Sequence, residues 1–255
     1  MFRYLGILLL LMLCEFPAIS QQAPIFTHHT YTHAFTNPGF SGMGEGICLN
    51  SIVRQQWAGF KDAEGNKVAP ETFLITGDMP LKFLHGGTSL AIVQDKLGFE
   101  KNVGVQIGYA YHLEMGAAKL GIGTALNFLN RTVDFSKFKP HQSGDPVLST
   151  SEQSDMLFDL NLGVFLEVPD SYYVGFSVTS LLESKGKALT ESSSSSFVGD
   201  RTLYLVAGYQ YVAPWNQAIE FHPSVSVMSN ISTMQMNLTG TVVYNNKFWG
   251  GVNYR

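Results

Sequence analysis

Residues Asn102–Asn130 read NVGVQIGYAYHLEMGAAKLGIGTALNFLN, and the alternation within them decides the fold. On an extended chain Val103, Val105, Ile107, Tyr109, Tyr111 and Leu113 share one face. Gly104, Gln106, Gly108, Ala110 and His112 take the other. A turn is expected at Glu114–Ala118. Beyond it Leu120, Ile122, Leu126 and Phe128 share a face with Thr124, opposite Lys119, Gly121, Gly123, Ala125 and Asn127. Alternation with period two over this length specifies strands with one greasy face and one small or polar face. Greasy faces that carry tyrosines, backed by a small and polar face, are the pattern of a transmembrane β-hairpin.

The composition agrees. Only 14% of the 255 residues are charged, where soluble domains average about 25%. The net charge of −4 and the lack of a Lys/Arg stripe argue against nucleic-acid binding. Arg3, the apolar run Leu5–Leu13 and the small residues of Pro17-Ala18-Ile19-Ser20 form a secretory signal, with cleavage expected before Gln21. The run is too short to span a bilayer. No later stretch supplies eighteen consecutive apolar residues, so a membrane-embedded chain of this sequence crosses with strands. Cys48 is the one cysteine left after the signal and reads as a small packed apolar residue.

Three segments follow: signal 1–20, an irregular leader 21–43 that is a candidate lumen plug, and an outer-membrane barrel over 44–255. The leader holds Pro24, the run His28-His29-Thr30-Tyr31-Thr32-His33 and the turn signal Asn37-Pro38-Gly39. His29 and His33 lie on one side of a helix, but no neighbouring Cys, Asp or Glu completes a metal site, and no metal or cofactor is assigned. Small inward residues of the opening hairpin (Gly104, Gly108, Ala110, Gly121, Gly123, Ala125) leave room that the leader can fill.

Strands are expected at Gly44–Phe60, Glu71–Met79, Thr88–Gln94, the two halves of the opening stretch, Asp155–Val168, Tyr172–Ser180, Thr202–Val212, Ala218–Met228, Thr233–Tyr244 and from Phe248 onward. In the first of these Asn50, Arg54 and Gln56 share a face with Ile52. Arg54 belongs in a lumen, where it meets a plug or client or pairs with a carboxylate. Pro223 marks a bulge or a locally unpaired position. The long loops are Arg131–Gln153 and Leu181–Asp200, the latter with five serines at Ser192–Ser196. Eleven strands, where single-chain barrels use even numbers, lead to the expectation of a closing hairpin or more past Arg255.

No catalytic constellation is present. There is no P-loop, H-E-x-x-H, C-x-x-C or G-x-S-x-G. Asp159 and Glu167 are eight residues apart on one strand, about 26 Å, too far to act on one bond. The expectation is a non-enzymatic protein.

Several motifs in order resemble the PorP/SprF family of type IX secretion outer-membrane proteins. They are Gln22, Pro24 and Phe26 with Asn37-Pro38-Gly39-Phe40-Ser41-Gly42; then Arg54-Gln55-Gln56-Trp57-Ala58-Gly59; Val93-Gln94-Asp95-Lys96-Leu97-Gly98; Tyr109-Ala110-Tyr111; Asp159, Asn161 and Gly163; and Asn246-Lys247-Phe248-Trp249 with Gly251, Tyr254 and Arg255. The resemblance implies an all-β, antiparallel transmembrane barrel in the outer membrane, incomplete at its C-terminal side because members continue past the position of Arg255. Gly39-Phe40 also departs from the family's usual Ala after Asn-Pro. The implied role is to support secretion or surface attachment of a protein client such as a gliding adhesin. The implied partners are outer-membrane lipid and type IX components or the adhesin itself. Asn37, Arg54, Gln56, Trp57, Asp95, Asp159 and Asn161 are the candidate lumen or client contacts. The competing reading is a transport barrel for a small or hydrophobic solute.

Overall fold

The computed structural model describes residues 26–137, 151–186, 199–230 and 233–255. The signal, the tip of the Arg131–Gln153 loop and the serine run lie outside them. Twelve strands form one antiparallel sheet: β1 (Cys48–Gln55), β2 (Glu71–Leu81), β3 (Gly86–Leu97), β4 (Glu100–Met115), β5 (Ala118–Asp134), β6 (Glu152–Val168), β7 (Tyr172–Thr179), β8 (Thr202–Tyr209), β9 (Tyr211–Val212), β10 (Ile219–Ser229), β11 (Met234–Tyr244) and β12 (Phe248–Tyr254). Each strand pairs with the next in sequence, except that β8 and the short β9 both pair with β10. Among the described residues no helix is long and apolar enough to cross a membrane.

The opening hairpin holds the register its alternation predicts. Met115 pairs with Ala118 across a turn at Gly116, whose φ of +65° suits a residue without Cβ. One face of the sheet carries Ile107, Ile122, Leu126, Phe158, Phe176 and Leu205, all exposed. Small and polar residues of the same strands point inward and are buried: Ala110, Ala125, Gln106, Asn161 and Ser177. An aqueous surface rarely carries so extended an apolar face.

Two sequence expectations are corrected. The first strand ends at Gln55 rather than Phe60, because Trp57 takes a left-handed φ of 48° and the Gln56 amide turns to the Pro70 carbonyl. Gln56 and Trp57 therefore lie on the β1–β2 loop. The strand expected over Thr202–Val212 is split at Gln210, whose amide bonds the Ser171 carbonyl. That split leaves Pro223 paired with Gly240 on β11 but with no partner on its other side, between the β9 and β8 pairings, as its missing N–H requires.

β1 and β12 are the two sheet edges, and both run toward the end where the β1–β2, β5–β6 and β7–β8 connections lie. The two edges do not pair with each other, so the sheet is open, in agreement with the expectation of an incomplete barrel.

Candidate functional site: a leader cradled by the inner wall

Residues 26–43 lie against the inner face. The segment makes a 3₁₀ turn at His29–Tyr31, a helical turn at His33–Thr36 and another 3₁₀ turn at Pro38–Phe40. So irregular a segment leaves carbonyls without ladder partners, and buried carbonyls need donors. The wall supplies them. Gln106 Nε2 donates to the Phe35 carbonyl at 3.1 Å, and Ser177 Oγ to that of Thr36 at 2.7 Å. His112 Nε2 meets the Ser41 carbonyl at 3.0 Å, so this nitrogen carries the proton, and Lys119 Nζ donates to Met43 at 2.9 Å. Ser41 Oγ and Ser89 Oγ share a bond of 2.7 Å.

Asn37 is the anchor. Its amide nitrogen donates to the carbonyls of Val164 at 3.1 Å and Phe176 at 3.3 Å, and its amide oxygen accepts from the Gly39 amide at 2.9 Å. One side chain thereby holds the Asn-Pro-Gly turn and bridges β6 to β7. The residue is 2% exposed.

Register explains why the backbone can come so close. One inner row runs Ala110, Gly123, Gly163, Ser177, and the next runs His112, Gly121, Phe165, Gly175, Val206. A Cβ added at Gly123 would sit 2.3 Å from the Pro38 carbonyl oxygen, at Gly121 2.1 Å from that of Gly39, and at Gly163 2.1 Å from Asn37 Oδ1. These glycines form a groove filled by the backbone of Pro38 and Gly39 and by the Asn37 side chain. Beside it Phe165, Met43 and Val206 form a buried apolar cluster, with Phe40 and Tyr173 packed on it. His33 sits in this aromatic surround, its ring centroid 5.2 Å from that of Tyr173, 5.3 Å from Phe40 and 5.5 Å from Phe165. Burial, with a smaller contribution from neighbouring His29, lowers the His33 pKa to about 3, so the ring is neutral.

The remaining candidates divide between wall and loop. Asp95, Asp159 and Asn161 line a cavity of about 520 Å³ on the long-connection side of the leader, floored by Phe35 and Thr36. Asn161 Nδ2 donates to Gln106 Oε1 at 2.8 Å, and Asn161 Oδ1 accepts from the Ser180 amide at 2.9 Å. Asp159 accepts from the amides of Leu182 at 2.9 Å and Ser184 at 3.3 Å. A continuous set of bonds thus joins the leader carbonyl of Phe35 to the β7–β8 connection. Arg54 sits on the β1 edge, in register with Thr72 and, one strand further, Asp95. Trp57 is 70% exposed on its loop, edge-on to Phe60 at 6.3 Å. The sequence reading missed Gly163, Gly175 and Ser177 as parts of the groove and Phe165 as its apolar wall. The alternation of Asp159, Asn161 and Gly163 on β6 and of Gly175 and Ser177 on β7 was the available signal.

An antiparallel, strand-crossing sheet with an apolar exterior, wound around its own N-terminal segment, defines a barrel-type membrane protein. Residues 18–255 match the family described as Type IX secretion system membrane protein PorP/SprF, and the chain belongs to that family. It is a membrane component of type IX secretion. No curated protein matches the chain.

Proposed function

We propose that the protein is a non-enzymatic outer-membrane barrel that supports secretion or surface attachment of a protein client, such as a gliding adhesin, in type IX secretion. The greasy outer face meets lipid, the signal segment directs export, and the leader is a plug that narrows the lumen. The observation that carries the reading is the set of wall side chains devoted to the leader's carbonyls: Gln106, Ser177, His112 and Lys119. A free lumen has no use for four donors aimed at one segment of its own chain.

Two experiments test it. Affinity purification after crosslinking in the membrane, with a tag in the Ser192–Ser196 run, recovers type IX components or a large surface protein. Recovery of the protein alone would move the function to solute transport. Deleting residues 21–38 raises ion conductance in a planar bilayer, and unchanged conductance would refute the plug.

A further inference from the structure

Above the leader the cavity is layered by register. Its upper row runs Thr72, Asp95, Asn102, Arg131, and the row beneath runs Val93, Gly104, Leu129, Leu157. Gly104 has no side chain, and Val93 fills the place of one, its Cγ1 2.8 Å from where a Cβ would stand. At about 520 Å³ the space lies in the range that holds a ligand, roughly 300–1,000 Å³. Among the described residues four carboxylates (Asp95, Glu100, Asp159, Asp200) and one guanidinium (Arg131) line it. That guanidinium is committed to Glu100 by two parallel bonds, Nε to Oε1 at 2.9 Å and a terminal nitrogen to Oε2 at 3.0 Å. Asp159 is turned to the amides of Leu182 and Ser184. Asp95 takes a hydroxyl hydrogen from Thr72 at 2.6 Å, and among the described residues this neutral group is its hydrogen-bond partner. A cavity whose described lining carries more negative than positive charge above an apolar belt favours an occupant that brings a cation and a hydrophobic flank.

We infer that this cavity is a binding site for a short cationic peptide segment, in which a lysine or arginine side chain reaches Asp95 and an adjacent apolar side chain fills the level of Val93, Leu129 and Leu157. The inference rests on the protein-client reading and adds the chemistry of the segment that is held. The site shares its floor with the plug: Phe35 lines it, and Asn161 joins that floor to Ser180 through Gln106. An occupant therefore presses on the leader and on the β7–β8 connection together.

The test uses the full chain in lipid nanodiscs and fluorescently labelled acetyl-Leu-Lys-Leu-Lys-amide, read by anisotropy against empty nanodiscs. Saturable binding is expected, at least about tenfold tighter than for the Leu-Glu-Leu-Glu and Leu-Gln-Leu-Gln peptides. Asp95→Asn, which still accepts from Thr72, weakens it about tenfold. Leu129→Trp fills the apolar level and weakens it too. Heat-modifiable migration on a gel shows that each variant is folded. Equal affinity for the three peptides, or folded Asp95→Asn with unchanged affinity, would overturn the inference. Client capture from cells is a separate readout. Capture that persists in Asp95→Asn keeps the client reading and removes this site.

Discussion

Gly123→Ala isolates the cradle in one methyl group. The new Cβ would stand 2.3 Å from the Pro38 carbonyl oxygen and 2.4 Å from its carbon, both backbone atoms of a turn that cannot swing aside. Overpacking of this kind costs about 1–3 kcal/mol. Lifting Pro38 also strains the two bonds from Asn37 to Val164 and Phe176, each worth about 1 kcal/mol. A loss of about 3 kcal/mol in leader docking is the middle of that range, a shift of roughly 150-fold in the docked-to-undocked ratio. Chymotrypsin, which cuts after the leader's aromatic residues, reads the undocked population when opening is fast relative to cleavage. The matched control is Gly240→Ala on β11, where an added Cβ meets nothing within 4 Å. Leader cleavage should rise by about two orders of magnitude in the first variant and stay at the native rate in the second. Equal cleavage of the two would refute the docking of the leader in this groove.

Other perturbations probe the same contacts. Asn37→Ala removes three hydrogen bonds from a buried position and lowers the stability of the docked leader by about 2–4 kcal/mol, read as a lower urea midpoint for leader protection. Asn37→Asp is worse, because it sets an acceptor against the Val164 and Phe176 carbonyls. Acid should release the leader. His33 has its pKa lowered to about 3 by burial, against 6.5 when free, so its contribution is complete above pH 6.5 and declines as pH falls toward 3. The slope is about 1.4 kcal/mol per pH unit. Leader cleavage should rise between pH 7.5 and 4.5, and the rise attributable to this ring should vanish in His33→Phe. Gln106→Leu leaves the Phe35 carbonyl and the Asn161 amide without partners, at about 1–3 kcal/mol each. Hydrogen exchange at 180–184 should quicken, whereas exchange confined to the leader would argue against the connection through Asn161.

The sequence by itself determined the strands and their faces, because the period-two alternation of Asn102–Asn130 leaves one way to bury small residues and expose large ones. It also showed the space above Gly121 and Gly123, and a leader of suitable irregularity to occupy it. It did not determine which wall atoms meet which leader atoms. Asn37 lies 127 residues from Val164 and 139 from Phe176, and no local pattern encodes pairings across such distances. Trp57 shows the same limit from the other side. Its alternation continues the first strand, yet its left-handed backbone and the Gln56 amide's bond to Pro70 place it on the loop. Periodicity is a property of neighbours along the chain. The row that brings Ala110, Gly123, Gly163 and Ser177 into line depends on register between strands, and only the folded sheet sets that register.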